Sequence, residues 1–214
     1  QMCIRDRHVL LEKPFTLDAS QARELVALAR ANGLFLMEAM WTRFLPNHLA
    51  LFEKLEQGLI GTPLYLIADH DLNLPKNLHP RLYDPALGGG SLLDLGIYPI
   101  SLAHRLFGNP SKIKASASLM PGNVDESMGA IFEYSGGRQS LVHSTVRSAG
   151  AVTASILGDA GRVEMRKRFY EHSPFTVFDL EDKVVFKYEG NIEGRGMQYQ
   201  ALEVERCVSA GLTE

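Results

Sequence analysis

Cysteine is scarce in this chain, with two in 214 residues, and tryptophan occurs once. Cys3 and Cys207 show no CxxC spacing and no histidine at ligand distance, which argues against a disulfide framework or a zinc site and leaves two free thiols. The apolar runs are only a few residues long, far below the roughly 20 that span a bilayer, and no charged-apolar-small leader opens the chain. No Lys/Arg tract is present and the formal net charge is −3, so nothing draws the chain to nucleic acid or to an anionic membrane. A cytoplasmic address follows by default. What is present is the composition of an ordinary globular protein, 45% hydrophobic and 22% charged.

The first seven residues, QMCIRDR, have no periodicity joining them to the strand at His8. They resemble the translated remnant of a sequencing adaptor and are read as a non-native leader. From His8 to Leu11 an apolar run reads as a buried strand that ends in Glu12-Lys13-Pro14. Next, Thr16 or Asp18 caps a helix whose Ala22, Leu25, Val26 and Ala29 fall on one face, and Asn32-Gly33 supplies its stop. The run Leu34 to Met37 is a second buried strand, so residues 8–37 form one strand-helix-strand unit with parallel pairing. Such a unit cannot bury its own sheet, which implies further strands before it.

A second helix is expected from Pro46 to Gln57 and a third from Leu92 to Phe107, separated by a strand-like run PLYLIADHDLNL, residues 63–74, and a loop rich in Pro, Asn and His from Pro75 to Gly90. Short strands follow at 112–119, 128–134, 138–146, 152–157, 162–165, 175–179 and 183–188. The short turns between them favour antiparallel neighbours and one large sheet with helices on one face. A final helical pattern, Met197 to Ala210, stops close to the last residue, and a piece of a longer protein is expected.

Three stretches carry chemistry. Lys13 stands at the carboxyl end of a parallel strand, where open α/β sheets place ligands, and Pro14 restricts it to extended backbone. Position alone favours a lysine snorkelling beside Glu12; partial desolvation would instead make it a proton donor or carbonyl polariser. In GGGSLLDLGIYPI, residues 88–100, three glycines allow close backbone approach and the helix start at Ser91 offers N–H groups to a ligand. Asp94 and Tyr98 are four apart on one helical face, and Pro99 leaves the Leu95 carbonyl without its helical donor. A carboxylate beside a phenol can orient it for proton transfer, although a capped helix with a packed tyrosine accounts for the pattern as well. In MEAMWTRFLP, residues 37–46, Trp41 and Arg43 follow the second strand's end and suit either a pocket wall or a packed tryptophan. Elsewhere Asp69, His70 and Asp71 alternate along a strand, so the histidine faces away from both carboxylates and metal clustering fails. GDAGRV at 158–163 lacks a full nucleotide-binding pattern and reads as a turn.

Taken in order and spacing, EKPF, MEAMWTRFLP and GGGSLLDLGIYPISLAHRLFG resemble the Gfo/Idh/MocA family of pyridine-nucleotide-dependent oxidoreductases. The likeness runs from about His8 to the end. It is nearest to the trans-dihydrodiol and sugar dehydrogenase branch, because Tyr98 stands where many members have histidine. The resemblance implies an α/β plus α+β fold: residues 8–43 as the C-terminal remnant of a Rossmann domain, then 44–214 as a truncated substrate and dimerisation domain. That second part would be a large, mostly antiparallel open sheet with helices on one face, serving a homodimer. It implies NAD or NADP as cofactor, with the main binding motif missing from this chain, and a polyol, sugar, cyclitol or dihydrodiol as substrate. It assigns Lys13, Tyr98 and Asp94 to catalysis and Glu12, Lys13, Pro14, Trp41 and Arg43 to the cofactor edge, with no metal. The fragment by itself is expected to be inactive. The alternative is a non-catalytic ligand-binding or dimerisation protein on the same fold.

Overall fold

The structure is a computed structural model that describes residues 6–192 and 194–214. Most of the leader, residues 1–5, therefore lies outside the described residues. By contacts the chain divides into two units, one from 1–45 with 193–214 and the other Pro46–Ile192.

In the first unit, strand β1 (Val9–Glu12) pairs in parallel with β2 (Leu36–Ala39), Glu12 standing opposite Ala39. Between them runs α1 (Ala19–Ala31). Its start is set by Asp18, whose carboxylate accepts the N–H groups of Ser20 at 2.8 Å and Gln21 at 3.0 Å. Those donors hold the Asp18 carboxyl below the usual carboxylate range. Asn32 follows the last turn and Gly33 takes a left-handed φ of 61°, so the expected stop is the observed one. Ala29 and Leu36 are buried against Val9, Leu11, Leu25, Val26 and Leu28, the small core of this unit.

The last helix, α4 (Gln198–Ser209), packs on the turn Trp41–Phe44, and the Leu36 N–H donates to the Thr213 carbonyl at 3.1 Å. Arg30 pairs with Glu214 at 2.6 Å. These contacts group 194–214 with β1 and β2, whereas the sequence reading carried its second segment from 44 through 214. The amphipathic pattern announces a helix without saying which sheet it covers.

The second unit is an eight-stranded sheet in the order β10-β9-β8-β7-β3-β6-β5-β4. Its members are β3 (Pro63–Asp71), β4 (Lys112–Met120), β5 (Val124–Glu133), β6 (Gln139–Thr145), β7 (Ala154–Gly158), β8 (Arg162–Met165), β9 (Phe175–Phe178) and β10 (Val184–Tyr188). Strands adjacent in sequence are antiparallel, as short turns require. The exception is β3, which inserts between β6 and β7 and runs parallel to β6. Its alternation assigns the two faces: Leu66, Ala68 and His70 are buried, while Tyr65 and Ile67 are exposed on the other side. The turn at 158–162 between β7 and β8 is a plain connection.

Helices α2 (Pro46–Glu56) and α3 (Ile97–Phe107) belong to this unit. The guanidinium of Arg105 on α3 lies 4.0 Å from the Phe52 ring centroid on α2. The stretch Pro85–Phe107 is long and apolar enough to cross a membrane by length and composition. Here it is broken into a 3₁₀ turn (Pro85–Leu87), a π-helical turn (Leu92–Gly96) and α3, and half of its most apolar window is buried. Gly96 is what lets the π-helical turn lie on the sheet, since a Cβ there would sit 2.9 Å from Ser144 Oγ.

The start of α2 anchors a distant loop. His48 is fully buried and its Nε2–H donates to the Phe169 carbonyl at 2.8 Å, while Asn47 Nδ2 donates to the carbonyls of Glu171 and Ser173. Burial pushes the His48 pKa down from 6.5 to about 4. Because the folded value lies below the unfolded one, the contribution of His48 is complete above pH 6.5 and is lost as the pH falls through 4. Going from pH 7 to 4, this one group should cost about 3 kcal/mol. His48→Gln keeps a donor near Nε2 and removes the titration. Urea unfolding at both pH values should therefore show a smaller acid loss in His48→Gln, and an equal loss would refute the assignment.

Candidate active site

The residues singled out in the sequence fall into both units, and each group is described in its own. In the first unit, Lys13 and Pro14 directly follow Glu12 at the carboxyl end of β1, with the Lys13–Pro14 peptide cis. The Phe15 N–H donates to the Glu38 carboxylate at 2.9 Å, which ties the segment after Pro14 to β2. Trp41 and Arg43 occupy the 3₁₀ turn Trp41–Phe44 that follows β2. Trp41 is 4% exposed, a packed tryptophan on the α4 side of the unit. Burial lowers the Arg43 pKa, opposed by the Glu38 carboxylate, and leaves a guanidinium in a half-buried setting. The chemistry of this donor set suits a dinucleotide at its edge: two parallel strand ends carrying an ammonium, an indole and a guanidinium. The glycine-rich turn that cradles a pyrophosphate is not among the described residues.

In the second unit, Asp94 belongs to the π-helical turn Leu92–Gly96 and Tyr98 to the first turn of α3. The Asp94 carboxylate accepts from Arg81 Nη2 at 2.6 Å; the aspartate side chain is mostly buried and the arginine half exposed. Beside this pair is a recess of about 440 Å³ walled by Leu72, Leu74, Leu82 and Leu95, with His79 and Arg81 at its polar side. Nothing in the sequence marked Arg81, which lies in a 3₁₀ turn, Pro80–Tyr83, within the Pro/Asn/His-rich loop.

Tyr98 is 7% exposed and packs in a cluster of rings. His70, on β3, stacks on Tyr170 with centroids 4.2 Å apart and meets Tyr98 edge-on at 5.1 Å; Tyr98 and Tyr170 are 4.8 Å apart. His70 Nδ1–H donates to the Leu95 carbonyl at 3.2 Å. That carbonyl is the one Pro99 leaves without its i+4 donor; it accepts the Ile97 N–H and the histidine from the sheet instead. As the alternation required, His70 faces the side opposite Asp69 and Asp71. Asp71 instead accepts from His143 Nδ1 at 2.8 Å, and burial raises its pKa against the pull of that histidine.

One reading is corrected. The glycine-rich helix start was expected to leave N–H groups for a ligand, yet Asp125 occupies it. Its Oδ2 accepts the Leu92 N–H at 2.7 Å and the Ser91 hydroxyl at 2.6 Å. Gly90, at φ 107°, makes that approach possible, because a Cβ would lie 2.1 Å from Asp125 Oδ1. The ligand of this helix start is therefore the chain's own carboxylate, from 33 residues away.

Comparison with known proteins bears on this geometry. The trans-1,2-dihydrobenzene-1,2-diol dehydrogenase of Xenopus tropicalis is 33% identical over 220 residues, covering all of this chain and 66% of the relative. That of Oryctolagus cuniculus is 36% identical over 217 residues, covering 96% of this chain and 64% of the relative. The chain thus spans just under two thirds of the length of these relatives. An aldose-aldose oxidoreductase from Caulobacter crescentus, solved with glycerol, superposes with a TM-score of 0.84 at 22% identity over 96% of this chain and 63% of its own, a likeness of fold. A 3-ketoreductase from Actinomadura kijaniata, solved with NADP and TDP-benzene, gives 0.77 at 25% identity over 95% of this chain and 63% of its own. The family model of the GFO/IDH/MocA C-terminal domain matches residues 48–164, more than half of the chain. The chain belongs to the GFO/IDH/MocA family, and its eight-stranded second unit carries that family's C-terminal domain.

Proposed function

We propose that the complete protein is an NAD(P)-dependent dehydrogenase acting on a secondary alcohol, or the matching ketone, of a sugar, cyclitol or dihydrodiol. The observation that carries the reading is the setting of Tyr98: a phenol on a proline-broken helix start, enclosed by rings, with the ion-paired Asp94 four residues before it. Curated relatives that match along the whole chain are named as dehydrogenases of a dihydrodiol, and a solved relative binds NADP. Both support the same chemistry.

A bound nicotinamide would accept or supply the hydride. Tyr98 takes the hydroxyl proton of the alcohol, or returns it to the carbonyl oxygen in the reverse direction. The family likeness gives Lys13 the role of a positive charge that polarises the substrate carbonyl. Asp94, fixed by Arg81, orients the start of α3 that carries Tyr98. Glu12, Pro14, Trp41 and Arg43 border the cofactor, and the leucine-walled recess beside Asp94 offers an apolar wall to a ring-bearing substrate. The cytoplasm is the compartment this reading takes.

The homodimer reading draws support from the open face of the sheet. Tyr65, Ile67, Leu141 and Ile131 are exposed there on three neighbouring strands, over a shallow hollow of about 530 Å³. Such an apolar patch on a sheet is the kind of surface a second copy covers.

In the protein with its complete dinucleotide-binding domain, Lys13→Met should abolish turnover while fluorescence titration still shows cofactor binding; a wild-type kcat would sink the assignment. Tyr98→Phe should lower kcat by roughly 10²–10⁴-fold, the range for loss of a general acid-base group. Ile67→Lys on the open face should convert a dimer to a monomer in sedimentation, and a wild-type protein that sediments as a monomer would refute the interface.

A further inference from the structure

Segment 166–173, between β8 and β9, is held from three directions although it is irregular. His48 holds the Phe169 carbonyl, and Asn47 holds those of Glu171 and Ser173. The third hold comes from Val152, whose carbonyl accepts the N–H groups of Arg168 at 2.7 Å and Phe169 at 3.2 Å. Val152 has φ 56°, a left-handed conformation that a β-branched residue adopts only under strain. Arg168 is left-handed as well, with φ 64°. Asp69 maintains the valine: its Oδ2 accepts the Val152 N–H at 2.7 Å, and its Oδ1 accepts the Thr153 N–H and hydroxyl at 3.0 and 2.8 Å.

The side chain delivered by all of this is Tyr170, stacked on His70 and tilted against Tyr98. His70 is 1% exposed, and its ring touches both tyrosines while its Nδ1–H holds the Leu95 carbonyl three residues before Tyr98. Two adjacent residues of β3 thus converge on one object from opposite faces. Asp69 braces the strained turn that places the Tyr170 segment, and His70 packs on the ring that arrives.

We propose that His70 and Tyr170 are positioning residues for Tyr98: their stacked rings and the bond from His70 to the Leu95 carbonyl hold the phenol of Tyr98 in its working orientation. The proposal rests on the acid-base reading of Tyr98. A carbonyl that Pro99 leaves without its i+4 donor, next to a π-helical turn, marks an irregular helix start, and a shift of about 1 Å at a reacting group can cost on the order of a hundredfold in rate. A ring clamp opposes such a shift without adding a charge. Tyr170 suits the role because burial pushes its pKa up to about 12, so it stays a neutral ring beside Tyr98.

Two measurements test this. In the full-length enzyme, Tyr170→Ala and His70→Ala should each lower kcat roughly tenfold to a hundredfold with KM changed less than about threefold, and should move the alkaline limb of the kcat profile. Tyr170→Phe, which keeps the ring, should restore kcat to within about threefold of wild type. A dead Tyr170→Phe overturns the positioning role, because the hydroxyl itself would then be required. Wild-type kcat in both alanine variants overturns it too.

The second measurement uses this chain labelled with [13Cζ]tyrosine and 15N-histidine. The neutral His70 should be the Nδ1–H tautomer, and the Tyr98 resonance, identified by its loss in Tyr98→Phe, should titrate differently in Tyr170→Ala. An Nε2–H tautomer, or an unmoved Tyr98 titration, refutes the clamp. If the alanine variants do not fold, the wild-type tautomer and Tyr170→Phe decide the matter. Full turnover in Tyr98→Phe sinks the acid-base reading; wild-type behaviour at 70 and 170 with a dead Tyr98→Phe sinks only the clamp.

Discussion

The constraint on which the second unit depends is the place of β3 at the middle of its sheet, between β6 and β7. A central strand must present one side to the helices and the other away from them, and the period of two distributes its side chains without choice. Leu66, Ala68 and His70 go to the covered side, and Tyr65, Ile67, Asp69 and Asp71 to the open one. From that single alternation come the apolar open face, the brace on Val152 and the ring beneath Tyr98. A shift of one residue in the register of β3 would exchange all three.

The start of α3 shows how local conflict is resolved by distant groups. Pro99 removes a donor, and the stretch before it takes a π-helical turn instead of a regular α-helix. Left alone, these features would expose backbone carbonyls and N–H groups in a buried setting, which is costly. His70 takes the Leu95 carbonyl, and Asp125 takes the Leu92 N–H with the Ser91 hydroxyl. Arg81 takes the Asp94 carboxylate. The irregular segment is therefore held by side chains from the sheet and from a distant loop, and this is the setting in which Tyr98 sits.

The same logic separates what can be read along the chain from what cannot. A cap at Thr16 or Asp18, the Gly33 stop, the strand bounds to within a few residues and the opposite facing of His70 and its aspartates were legible, and the structure chose Asp18. Each depends on residues within one or two turns of each other. Arg81 sits 13 residues from its partner Asp94 in the Pro/Asn/His-rich loop, and His48 is 121 residues from Phe169. The candidate site was legible in its motifs and not in its supports. The glycines at 88–90 were misread for the same reason, since close approach is visible in a sequence but the group approached is not.

By itself the amino-acid sequence determined the order of the main helices and strands, the two faces of β3 and the missing i+4 donor of the Leu95 carbonyl. These follow from dihedral preferences, hydrophobic period and the missing proline N–H, which act over a few residues. Only the tertiary structure decided that β3 enters between β6 and β7, that α4 joins the first unit and that His70 donates to the Leu95 carbonyl. The physical reason is that such pairings balance long-range chain entropy against burial and hydrogen bonding. That balance is struck between surfaces that become neighbours only once the chain has folded.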